Sequence, residues 1–300
     1  MSAEGASHQR MEQQKSVSSW KLRFAALGFG VLALIVVYGI TLVYSNDVRL
    51  MYWSGAVSLF CAAIWLGRRK QDCLAAVILV LPSLIAFSCL VLVEVSFLWP
   101  HLVLWLATVV IGLVFLKLVR HRRGLAIGLI AALVVSSVGY CEFYIPRRLA
   151  HKFNRFVDSN SPAFALKPVS GDAVPVSPIP GKILVIDFFS TSCAPCIAEL
   201  PELAAVRTEL KNNRDIEFVI AASEFGNDTP ERFRAFIERR HINIPLAFDH
   251  DGKVHDSFGL HGVPALVVLD REGRVRLTRA GYNPAETSFH RDLVQFLKSL

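Results

Sequence analysis

Residues 182–203 read KILVIDFFSTSCAPCIAELPEL, and this stretch is the most informative one about the structure of the second half of the chain. Residues 182–189 are almost all apolar, which is typical of a strand buried on both faces of a sheet. Residues 198–212 have helical character, so a helix is predicted to follow the strand. The two cysteines, Cys193 and Cys196, therefore lie between a buried strand and a helix.

The spacing of these two cysteines predicts redox chemistry. The first lies at a helix N-terminus, where free N–H groups and the helix dipole favour the thiolate. The second lies one turn away, close enough to form a disulfide, and Pro195 in the first turn costs no hydrogen bond. Cys193 is thus expected to attack a substrate disulfide and Cys196 to resolve the mixed disulfide. Half of a zinc site is the alternative, but no second cysteine pair follows in this half of the chain.

The elements around this stretch predict one mixed α/β domain over residues 161–300. Further strands are expected at 217–222 and 265–270, followed by a hairpin to 278. Helices are expected at 229–241 and 288–300. Six prolines occur from Pro146 to Pro180, which predicts an extended tether and short edge strands rather than helices, with the linker itself at 146–160.

The first half of the chain has a different composition. The 300 residues are 53% hydrophobic and 19% charged, with a mean hydropathy of +0.43. Residues 1–160 hold 16 Lys and Arg against 7 Asp and Glu, whereas residues 161–300 hold 16 against 18. The positive charge therefore does not lie on the folded domain, which excludes nucleic acid as a partner. The 20 Phe and 5 Trp exclude disorder as the main state.

Five apolar stretches predict an α-helical transmembrane bundle, because a membrane-spanning helix needs roughly 20 mostly apolar residues. A set of buried helices in a soluble protein is the alternative, and five such runs in so short a region disfavour it. A removable signal peptide is disfavoured because no small-residue cleavage site follows the first stretch. The stretches are 22–44, 51–66, 74–93, 101–116 and 125–145, after a tail at 1–21.

The basic residues predict the orientation of this bundle. Lys and Arg concentrate in the N-terminal tail, in the second loop at 68–70 and in the fourth loop at 117–123. Such segments stay on the cytoplasmic side, so five spans would place the C-terminal domain outside. Arg147 and Arg148, together with Lys152 and Arg155, lie on the predicted outer side and oppose this orientation. The lipid bilayer is accordingly one expected partner.

Residues 161–300 resemble the thioredoxin-like, membrane-anchored thiol–disulfide oxidoreductases of the TlpA/ResA kind. The segment VIDFFSTSCAPCIAELPEL resembles the active-site stretch of that family, and FGLHGVPALVVLDREGRV resembles its second signature. The resemblance implies a thioredoxin-like fold, a redox-active disulfide between Cys193 and Cys196, and no cofactor. It also implies a bacterial cytoplasmic membrane location with a periplasmic domain. The chain departs from the family at Ser192, where a tryptophan is usual.

The same resemblance implies roles for further residues. Asp187 and Glu199 match two family acids and are expected to relay the Cys196 proton, although each has a structural alternative. Pro264 stands where the family has a cis-proline facing the disulfide. The chain beside Val263, together with Ala194 and Pro195, is then expected to bind substrate.

The expected partners are extracytoplasmic protein thiols and disulfides, together with an unidentified membrane electron donor or acceptor. Reduction of these proteins, in cytochrome c or metal-site maturation, is the leading function. A copper(I) chaperone that binds metal through Cys193 and Cys196, with His261 as a third candidate ligand, is the alternative. A peroxiredoxin is a third hypothesis, but the usual proline-containing motif is absent before Cys193. The leading hypothesis, an oxidoreductase, places no metal at the site.

The other four cysteines lie in the membrane half of the chain. Buried free cysteine acts as a small hydrophobe, so their presence alone does not indicate chemistry. An electron relay through Cys141 is one hypothesis, and a structural anchor or docking bundle is the other. The four residues are Cys61, Cys73, Cys89 and Cys141.

Overall fold

The chain divides into two compact units, Met1–Tyr144 and Ile145–Leu300. A computed structural model describes residues 20–37, 39, 47–69, 73–93, 98–169, 176–223 and 228–300. The tail before Trp20 and most of the predicted span end at 38–44 lie outside the described residues.

The first unit is helical throughout its described part. A Trp105 indole N–H donates to the Tyr52 carbonyl oxygen at 3.1 Å and joins two of its helices. Large apolar side chains, among them Ile127 and Val135, remain exposed on the helix surfaces. The helices are α1 (Trp20–Val37), α2 (Val48–Arg69), α3 (Cys73–Val93), α4 (Trp99–His121) and α5 (Arg123–Gly139), and a π-helix follows at Tyr140–Tyr144.

Four helical segments of the described chain are long and apolar enough to cross a membrane. They begin at Trp20, Val48, Trp99 and Arg123, and they overlap four of the five predicted stretches. Helix α3, with Pro82 inside it, occupies the remaining stretch at 74–93. A helical bundle is therefore present, and the number of membrane crossings stays a prediction.

The extended tether predicted at the start of this region is wrong, because helix α6 (Ile145–Phe153) occupies it. The short edge strands predicted with it are present, since β1 (Asn154–Asn160) lies at one edge of the sheet, beside β7. Pro146 lies in the first turn of α6, where its missing N–H costs nothing. Ile145 and Leu149, one turn apart, are both buried and form the apolar face of this helix.

The second unit is built on a seven-stranded sheet, whose order is β1-β7-β6-β3-β4-β5-β2. Strands β3, β4 and β5 are parallel, and β6 and β7 continue antiparallel. Strand β5 and helix α9 had no prediction from the sequence. The remaining elements are β2 (Lys167–Pro168), β3 (Ile183–Phe189), α7 (Ala194–Glu209), β4 (Ile216–Ser223), α8 (Pro230–Glu238), β5 (Leu246–Asp249), α9 (Lys253–Ser257), β6 (Ala265–Leu269), β7 (Arg274–Ala280) and α10 (Phe289–Ser299).

Strand β3 lies at the centre of the sheet and every one of its residues is buried. Alternate β3 residues enter two cores, because successive side chains point to opposite faces of a strand. Val185 and Phe189 pack with helices α7, α8 and α10, whereas Ile186 and Phe188 pack toward α9. This βαβ unit, followed by an antiparallel hairpin and a helix, is the thioredoxin-like arrangement expected from the sequence.

We predict that Gly281→Ala destabilises the chain more than Gly181→Ala. Both glycines have positive φ, +94° and +81°, so each alanine would carry backbone strain of about 1–2 kcal/mol. A Cβ at Gly281 would also lie 2.9 Å from Cε1 of Phe153, whereas a Cβ at Gly181 would meet nothing within 4 Å. The melting temperature of the full chain in detergent measures the difference. Equal losses would mean that the end of α6 does not pack against β7 in solution.

Candidate functional site

The two cysteines lie where the buried strand β3 gives way to helix α7. They form a disulfide with an S–S distance of 2.04 Å. Cys193 is the N-cap of α7, and its Sγ accepts the Cys196 backbone N–H at 3.2 Å. Cys193 is half-buried, whereas Cys196 is fully buried. The surface thus offers one sulfur of the pair to a partner.

The loop before Cys193 is held by a residue that the sequence analysis did not select. Asp228 is buried and accepts the Thr191 backbone N–H at 2.9 Å and the Thr191 hydroxyl. The Cys193 N–H donates to the Ser190 carbonyl oxygen at 3.1 Å. These bonds fix the turn that presents Cys193 before the helix begins.

A second loop faces the disulfide. The Val263–Pro264 peptide bond is cis, and the Val263 carbonyl oxygen lies 3.6 Å from the Cys193 Sγ. The preceding residue, Gly262, accepts a hydrogen bond from Nε2 of the buried His255 at 3.1 Å. The structure therefore brings Pro264 and Val263 to the cysteines, and His255 supports them from α9.

Two acids lie in the core behind this surface. Asp187 and Glu199 are each 1% exposed. Asp187 Oδ1 and both Glu199 carboxyl oxygens have no hydrogen-bond partner among the described residues. Burial raises the pKa of Glu199 to about 8, and burial together with the Glu199 charge raises the pKa of Asp187 well above its usual range. Both carboxyl groups therefore favour the protonated form near neutral pH.

A buried ion pair between Arg279 and Glu286 lies near these two acids and was not predicted from the sequence. The four side chains together form the charged layer of the site. Arg279 of β7 forms a bidentate pair with Glu286, with Nη1 donating to Oε1 at 3.0 Å. The Arg279 side chain is 2% exposed and that of Glu286 is 0% exposed. Burial raises the pKa of Glu286 more than Arg279 lowers it. The alternation of β7 carries one signal for this site, since Arg279 lies two residues after the inward-facing Leu277.

Three further residues were predicted to belong to the site. Ala194 is exposed and Pro195 is half-buried, so both border the Cys193 surface. His261 is exposed. Within the described ranges, no group of three or more His, Cys, Asp or Glu side chains could hold a metal ion.

The second half of the chain is similar to several known proteins. Residues 157–278 match the AhpC/TSA family. The thiol-disulfide oxidoreductase ResA of Halalkalibacterium halodurans is 23% identical over 164 residues, which are 54% of this chain and 88% of that protein. Protein FixW of Rhizobium leguminosarum is 36% identical over 106 residues, 32% of this chain and 47% of FixW.

Among solved structures, one similar chain is a putative thiol:disulfide interchange protein DsbE from Chlorobium tepidum. It is 23% identical, with a TM-score of 0.42, and the match covers 48% of this chain and 99% of that one.

We predict that Glu199→Gln reduces the loss of stability that the chain suffers as pH rises. Between about pH 4.5, the ordinary pKa, and about pH 8, the folded chain holds a proton that the unfolded chain has released. Stability from Glu199 is therefore full below this window and is lost as pH rises through it, by a few kcal/mol in order of magnitude. Glutamine carries no such proton, so the melting temperature of the variant should fall less across the window.

Glu202→Gln is the matched control, because it removes a carboxyl group from the same helix at a half-buried position. The control should keep the pH dependence of the wild-type melting temperature. If Glu199→Gln and wild type lose the same number of degrees across this window, Glu199 is ionised in the folded chain.

Proposed function

We propose that the chain is a membrane-anchored thiol–disulfide oxidoreductase, and the match of residues 157–278 to the AhpC/TSA family supports this. Its redox pair is Cys193 and Cys196, and its partners are extracytoplasmic proteins with thiols or disulfides. The relatives named ResA support the reaction class. The observation that carries the proposal is the disulfide itself, with one accessible sulfur at a helix N-terminus and one sulfur in the core.

The unequal exposure of the two cysteines supports an order of action for them. The reduced Cys193 thiolate attacks a substrate disulfide, forms a mixed disulfide and releases one substrate thiolate. The Cys196 thiolate then attacks the Cys193 Sγ, restores the Cys193–Cys196 disulfide and releases the second substrate thiolate. The chain loses two electrons and the substrate gains two. The free N–H groups of α7 stabilise the Cys193 thiolate in the first step.

The second step requires Cys196 to lose a proton in a site without water access. Glu199 lies one helical turn after Cys196, on the same face of α7. Asp187 lies in the adjoining strand, and both acids are buried. We assign them the role of proton acceptors, since their raised pKa values match a thiol better than an ordinary carboxylate would.

Substrate recognition is assigned to the loop beside the disulfide. The Val263 carbonyl oxygen lies 3.6 Å from the Cys193 Sγ, so a chain held in a mixed disulfide would run past Val263. Hydrogen bonds to the backbone of an extended segment depend little on its side chains, which suits an enzyme that acts on several unfolded proteins. Ala194, Pro195 and the cis-proline Pro264 border the same surface.

The location proposed for the domain is the outer side of a bacterial cytoplasmic membrane. The apolar helices and their exposed aliphatic side chains support a bilayer anchor. The positive residues in the tail and the even loops support a cytoplasmic N-terminus. Five crossings then place the second unit outside, where substrate disulfides form and an electron donor in the membrane would be needed.

We predict that Cys196→Ser traps a mixed disulfide at Cys193. The experiment uses the full chain in detergent, with the four membrane cysteines replaced by alanine, and oxidised glutathione as the disulfide. Cys193 should attack glutathione and keep it, because the resolving thiol is gone. Mass spectrometry of the tryptic peptide measures the adduct.

The matched control is Cys193→Ser, which leaves only the buried Cys196 and should gain little glutathione. Equal labelling of the two variants would reverse or abolish the assigned order of the cysteines.

We predict a reduction potential near or below about −250 mV for the Cys193–Cys196 pair, the range of a thiol reductant. The same full-length background, equilibrated in thiol buffers of set potential and quenched with an alkylating reagent, gives this value. A potential near about −120 mV, typical of a strong oxidant, would instead make the chain a donor of disulfides and would overturn the direction proposed here.

A further inference from the structure

The Arg279–Glu286 pair is unusual because both of its charged groups are completely removed from solvent. The guanidinium makes two hydrogen bonds to the carboxylate, and its Nη1 also donates to the Asn154 side-chain oxygen at 2.8 Å. The Phe289 ring lies beneath it, 4.7 Å from the guanidinium carbon. A buried pair of this kind often contributes no net stability compared with apolar residues. Its presence therefore invites a functional explanation.

The sheet places Arg279 in the same row as Asp187. Asp187 pairs with Leu266 across β3 and β6, and Leu266 pairs with Arg279 across β6 and β7. Paired residues point to the same face, so both charged side chains enter the core that contains Cys196. Two strand spacings separate their Cα atoms by about 10 Å. One charge at that distance, with an effective dielectric constant near 20, shifts a titration by about one pH unit.

The two members of the pair act on the acids in opposite directions. Arg279 lowers the pKa of both Asp187 and Glu199, and Glu286 raises that of Glu199. Other groups face this layer from the neighbouring elements: Tyr282 follows β7, Asp292 lies on α10 and acts on Glu286, and Glu202 lies on α7 and acts on Tyr282. Removing one member of the Arg279–Glu286 pair should therefore shift the pKa values of the two acids, and the direction depends on which member is removed.

We propose that the Arg279–Glu286 pair sets the charge of the two acids behind Cys196, which makes Arg279 and Glu286 positioning residues for thiol–disulfide exchange. The inference rests on the function proposed above and extends it to residues that touch neither sulfur nor substrate. It assigns the pair to the resolving step, because that step alone needs the buried thiol to lose its proton.

The test follows the resolving step directly, using the disulfide reagent DTNB. The reduced Cys193 thiolate attacks DTNB, forms a mixed disulfide and releases one coloured thiolate. The Cys196 thiolate then attacks the Cys193 Sγ and releases a second, while its proton passes to the acids. The chain loses two electrons and the reagent gains two. Stopped-flow absorbance on the full chain, with the four membrane cysteines replaced by alanine, records both releases across the pH range.

Glu286→Gln should move the pH profile of the second release to lower pH by about one unit, because it leaves the positive charge of Arg279 without its counter-charge. Arg279→Gln should move the same profile to higher pH. Arg279→Lys keeps the charge and should stay close to wild type. Arg274→Gln is the matched control, since it removes a partly exposed arginine from the same strand and should leave the profile unchanged.

A purely structural ion pair would lower stability in each variant without moving the two profiles in opposite directions. Superimposable profiles for wild type and Glu286→Gln would overturn the inference while leaving the oxidoreductase intact. If Arg279→Gln fails to fold, the direction in which Glu286→Gln moves the pH profile of the second release still tests the inference. Failure of the proposed function has its own signature, a wild-type chain that gives no second release at any pH.

Discussion

Burial of charge is the constraint on which the rest of this site depends. Three carboxyl groups and one guanidinium share the layer between the sheet and helices α7 and α10, and none of them reaches solvent. Moving an isolated ion into such a place is costly, so each group must be paired or must keep its proton. Arg279 and Glu286 are paired. Asp187 and Glu199 favour their protonated forms, so either acid, when it is ionised, is a strong acceptor for the Cys196 proton once Cys193 has reacted.

The segment from strand β3 through the two cysteines to helix α7 could be predicted from sequence because its sequence pattern is local. The run of apolar residues before Cys193 indicates a strand, and the spacing to Cys196 indicates a helix start. Helix α7 nevertheless begins at Ala194, four residues before the predicted start, because Cys193 itself caps the first turn. Strand β5 was missed, since Leu246–Asp249 is too short to show a period.

The charged layer was harder to predict because it is assembled by pairing between strands. Glu286 lies in a turn, where no period distinguishes an inward side chain from an exposed one. Arg279 follows two other arginines of the same strand, Arg274 and Arg276, which are both partly exposed. Strand alternation places Arg279 on the same face as the buried Leu277, but the pairing of β7 with β6 and β1 is what covers that face and buries the arginine. The linker was mispredicted for a related reason, because the prolines that suggested an extended chain include one at the start of a helix.

The segment that replaces the predicted tether also bears on the chemistry of the second unit. Helix α6 ends at Phe153, and the next residue, Asn154, is the first of the edge strand β1 and accepts a hydrogen bond from Arg279 at 2.8 Å. The Phe153 ring centre lies 5.2 Å from the guanidinium carbon of Arg279. The end of α6 and the start of β1 thus help to hold the cation that acts on Glu199, so a change at Phe153 or Asn154 would reach the two acids through Arg279.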